Sequence, residues 1–150
     1  MTTPSRRQQG RHLLGERGSA VIEAVVGVPA FMLFVLLIIA GGRLAIAQQA
    51  VEAAAADAAR AASIARTQEQ ARSDGESGAA ATLTNQGLRC GSQRVRVDTS
   101  GFAAPVGTPA RVTATVTCVA DLSDLALPGL PGSRTITATM TSPIDTYRER

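Results

Sequence analysis

Nineteen uncharged residues run without a break from Ala24 to Gly42, and a single carboxylate, Glu23, stands directly before them. At 1.5 Å per residue the run makes about 28 Å of helix, enough to cross the apolar core of a bilayer. Lipid offers no partner to backbone N–H and C=O groups, so a lone span of this kind can only be helical. Pro29 lies about a third of the way along. It should bend the helix, which membrane helices tolerate. A secretory signal would carry a shorter apolar region and then a small-x-small cleavage site. Ala40-Gly41-Gly42 weakly imitates such a site, but Arg43-Leu44-Ala45-Ile46-Ala47 continues as helix. The run therefore reads as a retained anchor.

Charge orients the anchor. Residues 1–18 hold Arg6, Arg7, Arg11 and Arg17 against Glu16; Glu23 and Arg43 cancel, and residues 44–150 balance ten arginines with ten acidic residues. The net +3 of the chain is thus that of residues 1–18. This is the positive-inside arrangement, with the N-terminus in the cytoplasm and the remainder outside. The basic excess marks no nucleic-acid surface. Every basic residue is Arg, which reads as genome bias and not as mechanism.

Beyond the span, residues 44–72 read as an alanine-rich amphipathic helix. Leu44, Ala47, Val51, Ala54, Ala58, Ala61, Ala62 and Ala65 share one face at 100° per residue, with Gln49, Glu52, Arg60, Ser63 and Thr67 opposite. Unless Gly41-Gly42 interrupts it, one helix runs from about residue 20 to 70, on the order of 75 Å. Two uses of the small-residue stripe are open. It can pack on the chain's own sheet, or it can admit a close helix from another subunit. Residues 73–89, with Ser73-Asp74-Gly75-Glu76-Ser77-Gly78 and then Asn85-Gln86-Gly87, read as a polar linker.

Three segments then alternate with period two. Val95 and Val97 alternate with Arg94, Arg96 and Asp98. Val112, Ala114, Val116 and Cys118 alternate with Arg111 and three threonines, and Ile136, Ala138 and Met140 with the threonines from Thr135 to Thr141. Such β-branched alternation predicts half-buried strands, most simply an antiparallel meander with a Thr- and Arg-rich solvated face. The fold class is α+β: a long N-terminal transmembrane-plus-extracytoplasmic helix packed on a small antiparallel sheet of about three strands. Only about 60 residues form the β unit, near the lower limit for an independent core. There is no Trp and only three Phe, two of them (Phe31, Phe34) in the apolar run. Stability must therefore come from helix docking, a cross-link or assembly.

Cys90 precedes the first strand and Cys118 lies on the inward face of the second. Outside the membrane such a pair favours a disulfide over two free thiols. It would contribute roughly 3 kcal/mol in the chain-entropy model. Metal binding lacks companion ligands, because the single histidine, His12, is in the leader. The connection Asp121–Gly132 carries four leucines, Leu122, Leu125, Leu127 and Leu130. It either folds back over the sheet as core or displays an apolar surface.

A search for chemistry finds none. With no histidine beyond the leader, a Ser/His/Asp or Cys/His set is impossible in the exported part. No glycine-rich phosphate loop is present either. The sequence implies a non-enzyme without a cofactor, a metal, a nucleic-acid partner or a small-molecule substrate.

A basic leader, Gly18, then Glu23 as the fifth residue after it, then an apolar helix, resembles the class-III signal of type IV pilins. More narrowly, Glu16-Arg17-Gly18-Ser19-Ala20 with Glu23 and Pro29 resembles the TadE-like minor pilins of tight-adherence (Tad/Flp) pilus systems. So does Gln49-Ala50-Val51-Glu52-Ala53-Ala54, continuing through Ala58-Ala59-Arg60-Ala61-Ala62. An aromatic often follows the glutamate in that family, where this chain has Ala24. The resemblance implies a pilin-like fold and a cut by a membrane prepilin peptidase between Gly18 and Ser19. It also implies a role for Glu23 in processing and assembly, with other pilin-like subunits and the pilus machinery as partners.

The resulting organisation is a basic cytoplasmic leader (1–18), a transmembrane helix (19–43), an amphipathic helix (44–72), a linker (73–89) and a small extracytoplasmic β domain (90–150). The expected protein is a minor pilin-like subunit of the cytoplasmic (inner) membrane, acting in pilus assembly or initiation, and a candidate component of a surface pilus. The alternative is a single-pass envelope protein whose outer domain binds a partner without polymerising.

Overall fold

The computed structural model describes residues 15–121, 123 and 132–147. The chain forms two compact units, Met1–Gly41 and Gly42–Arg150. Helix α1 (Gly15–Ile64) contributes to both and contains Pro29, Gly41 and Gly42 without interruption. It is the one element among the described residues of the first unit. Its large apolar side chains from Ile22 to Ile39 are mostly exposed on every side, with Phe31 at 64 % and Phe34 at 59 %.

The second unit is built on β1 (Cys90–Asp98), β2 (Ala110–Asp121) and β3 (Ser133–Ile144), an antiparallel sheet in the order β1-β2-β3. This is the expected α+β architecture and the expected meander. The register sets Val95 beside Val116, Val97 beside Ala114, and Cys118 beside Ile136. Val112, Ala114, Val116 and Cys118 are fully buried, while the intervening Thr113, Thr115 and Thr117 are half-buried on the other face. The buried sheet face joins Ala47, Val51, Ala54, Ala55, Ala58 and Ala59 of α1 in one core. Of the two uses open to the alanine stripe, the chain's own sheet takes it.

Two expectations about the helical region need correction. The amphipathic helix, expected over residues 44–72, ends at Ile64, and the segment 73–89, expected as a linker, is mostly a second helix, α2 (Gln68–Asn85). The physical cause lies at its ends. Thr67 is an extended N-cap whose hydroxyl accepts from the Gln70 N–H at 3.2 Å, while Gln70 Oε1 accepts from the Arg66 N–H at 3.4 Å. Together they make a variant of the capping box, reaching one residue further back than usual. At the other end Gly87 takes φ +67°, the Leu88 N–H donates to Leu83 O and the Gly87 N–H to Thr84 O. This is a Schellman stop, for which glycine suits the left-handed position.

Gly75 and Gly78 sit inside α2 and lower its intrinsic helicity, at roughly 1 kcal/mol each relative to alanine. Tertiary contact offsets that cost. A Cβ added at Gly75 would lie 2.8 Å from Val97 Cγ2 and 3.2 Å from Ala58 O, and one at Gly78 would lie 3.5 Å from Ala61 Cβ. Both glycines are therefore points where α2 approaches its neighbours closely. The added helix explains why Ala50, Ala55 and Ala59 are buried although the single-helix reading left them off the stripe. Ser63, read on the polar face, is buried as well. It donates to Arg60 O at 2.8 Å and accepts from Ser142 Oγ at 3.0 Å, tying the last turn of α1 to β3.

A smaller core closes the other end of the unit. Phe102, in a short 3-10 helix (Ser100–Ala103), packs with Val112, Ile144, Ala62, Ala65 and Ala71. The leucine-rich segment between β2 and β3 falls on residues 122 and 124–131, outside the described residues.

Candidate functional site

Among the described residues no catalytic set comes together, and the candidate site is the start of α1. Gly18 and Ser19 lie in the first turns of that helix, and Glu23 follows on the same helix with its side chain exposed. Five residues advance a helix by about 7.5 Å. A carboxylate at Glu23 is therefore more than one full turn beyond Gly18, within reach of a group at the helix start or on a neighbouring helix. The structure brings no second charged side chain of the described residues against it.

From Ile22 the described helix is long and apolar enough to cross a membrane. None of its most apolar stretch is buried within the chain itself. A helix exposed all round with Val, Ile, Leu and Phe is hydrated at high cost in water and suited to lipid. Such a segment suggests membrane anchoring.

Cys90 and Cys118 lie apart from this region and form a disulfide, with Cα atoms 5.4 Å apart. The bond links the first strand to its partner at one end of the sheet, beside an irregularity in register between Cys90 and Ser92. Among the described residues no group of three or more His, Cys, Asp or Glu converges as metal ligands would. The carboxylates with displaced titration are peripheral. Asp98 is held below the usual carboxylate range by the Ser100 backbone N–H, 2.9 Å from its Oδ1, and then by the Ser100 side chain. Asp121 is lowered by the Ser123 hydroxyl and then by its N–H. Both are local turn contacts, each with a serine two residues on.

The comparison with known families falls on the span from Gly18 through the alanine face. Residues 18–60 match the family model of TadE-like proteins. No curated protein and no solved structure matches the chain. The TadE-like segment begins at Gly18, takes in Glu23 and Pro29, and ends four residues before α1 does. It agrees with the resemblance carried by Glu16–Glu23 and Gln49–Ala62. The sheet, the disulfide and α2 all lie outside it.

Sequence reasoning missed the residues that position the TadE-like helix against α2, namely Gly75, Gly78 and Thr82. Thr82 Oγ1 donates to Asp57 Oδ2 at 2.7 Å. A signal for them was present in Thr67-Gln68-Glu69-Gln70, which has the Thr-x-x-Gln spacing of a capping box, and in Gly87 one helical length later.

Proposed function

We propose that this chain is a minor pilin-like subunit of a tight-adherence pilus, working in pilus assembly or its initiation. The observation that carries the reading is the TadE-like match over residues 18–60, because it starts at the glycine where a prepilin peptidase would cut. In this reading the arginine-rich leader stays in the cytoplasm and the Gly42–Arg150 unit lies outside the cytoplasmic membrane. Gly18 presents backbone to the peptidase without a side chain. Cleavage of the Gly18–Ser19 amide by water leaves a carboxylate on Gly18 and an ammonium on Ser19.

Glu23 then has a charge to answer. A lone carboxylate at depth in a bilayer costs ~2.5–3.5 kcal/mol on insertion scales. The Ser19 ammonium, on the same helix or a neighbouring one, offsets that cost and fixes how far one subunit stands along another. The exposed apolar face of the helix, from Ile22 to Ile39, is the surface that exchanges lipid for neighbouring helices as the subunit leaves the membrane.

Mass spectrometry of the protein from cells with a working Tad system tests this directly. The mature chain begins at Ser19, and an intact leader overturns the reading. Glu23→Ala tests the second step: the expected result is normal cleavage with failed assembly, whereas unchanged pili remove the proposed role of the carboxylate.

A further inference from the structure

The sheet face turned away from the alanine core carries an ordered array of hydroxyls beside two guanidiniums. Cross-strand threonines pair as Thr113–Thr141 at 3.2 Å, Thr115–Thr139 at 3.0 Å and Thr117–Thr137 at 3.2 Å between hydroxyl oxygens. A hydroxyl has one hydrogen and two lone pairs, so each pair uses one hydrogen internally and keeps one to donate outward. The pairs recur every second residue, about 6.7 Å along the strands. The register extends the same rows onto β1, where Arg94 lies beside Thr117 and Arg96 beside Thr115. Arg94, Arg96, Ser92, Thr115 and Thr117 border a shallow concavity of about 430 Å³ with no carboxylate in its lining. The nearest acidic group on the face, Asp98, is two residues further along β1, and its Oδ1 accepts from the Ser100 N–H.

We infer that this face binds an acidic polysaccharide, with Arg94 and Arg96 holding its carboxylate or sulfate groups and the threonine hydroxyls meeting its sugar hydroxyls. Charge complementarity selects an anion, because the guanidinium fork matches a planar or tetrahedral oxyanion in bidentate fashion. Chemistry selects the polymer. Protein interfaces centre on aromatic and large apolar anchors, and single-stranded nucleic acids need aromatic platforms for their bases. Among the described residues the face supplies neither. It supplies an extended row of hydrogen-bond donors with cations along one side, which suits a hydroxylated, negatively charged chain lying across the strands. The binding stands whether or not the subunit polymerises, so its test is separate from that of the pilus reading.

The test uses the full-length chain in detergent, with heparin and polygalacturonate as probes at low ionic strength. Both bind the unaltered protein. Arg94→Gln with Arg96→Gln weakens binding by about tenfold or more, as loss of two charge-assisted contacts should. Arg60→Gln with Arg72→Gln, an equal change of charge on exposed helical positions, alters it by less than about twofold because distant charges are screened. Thr115→Val with Thr139→Val keeps the charge and shape and weakens binding by about threefold. Circular dichroism confirms that each variant is folded. Equal losses for the two arginine pairs, or no binding of either probe, overturn the proposal, and an unchanged affinity in the valine variant removes the hydroxyls from it. An oligothymidylate that binds more tightly than both polysaccharides through Arg94 and Arg96 also overturns it.

Discussion

Small residues answer opposite demands in the two units. At Gly27 and Gly41 of the first unit an added Cβ would meet nothing within 4 Å, yet at Gly75 of the second it would press on Val97 and on the Ala58 carbonyl. The large side chains show the same contrast. From Ile22 to Ile39 they are mostly exposed, whereas from Val112 to Cys118 the inward positions are fully buried. One helix serves both units, so the backbone does not make the difference. The Gly42–Arg150 unit supplies its own apolar environment out of alanine, a sheet face and α2. The helix of the first unit has none and must borrow it, from lipid or from neighbouring helices. Secondary structure alone therefore says little about where a helix gets its stability.

That comparison can be broken at its strongest point first. Replacing both cysteines, Cys90→Ala with Cys118→Ala, removes a bridge spanning 28 residues of sequence. The second unit should lose about 3 kcal/mol in urea unfolding followed by circular dichroism. Insertion of the apolar helix, measured by carbonate extraction, should not change. A loss of insertion would show that the two units depend on each other.

A pair of glycine variants sharpens the contrast at the next level. Gly75→Val overpacks the contact with Val97 and Ala58 and should cost about 2 kcal/mol in the same unfolding experiment. Gly41→Val meets open space and should leave stability unchanged or slightly raised, since valine is the better helix former. Equal costs at the two positions would erase the distinction drawn here.

The smallest expected effect belongs to acid. Asp98 titrates below its ordinary value of 3.8 because the Ser100 N–H stabilises its charged form. A depressed carboxylate contributes stability above the unfolded value and loses it as pH falls through the folded one. The second unit should thus weaken slightly below about pH 4 through this group, discounted heavily by its exposure to solvent. Asp98→Asn should flatten that slope in thermal unfolding between pH 5 and pH 2, and an unchanged slope would assign the acid sensitivity to other carboxylates.

Much of this fold was legible because periodicity reports burial directly. Alternation at Val112, Ala114, Val116 and Cys118 marked the inward face of the central strand, and the neighbouring alternations gave the meander. The apolar run gave the lone helix for the same reason. What failed was the stretch from Ser73 to Gly87, where serine, aspartate and three glycines resemble a linker in composition. There local propensity pointed one way and tertiary contact decided the other, since the missing Cβ atoms of Gly75 and Gly78 make room for Val97 and α1. The end signals at Thr67, Gln70 and Gly87 were stronger guides than the interior. Missing α2 also hid the burial of Ala50, Ala55 and Ala59. The candidate site is legible in a different sense: under the proposed function Gly18, Ser19 and Glu23 would form a linear pattern for another protein to read, and the folded chain adds only their place on α1.

The alanine stripe from Ala47 to Ala65 exists before anything can cover it. Ile136, Ala138 and Ile144 are made well after the stripe, and until they arrive it is a bare helix face continuing from an apolar span. Leucine at those positions would add about three carbons each, on the order of 2 kcal/mol of transfer into lipid per residue. The span would lengthen and the chain would slip deeper into the bilayer before its sheet could form. Alanine keeps the waiting helix too weakly apolar for that. In a membrane-inserted chain the same methyl groups that later allow close packing would set, earlier, the point where lipid gives way to water.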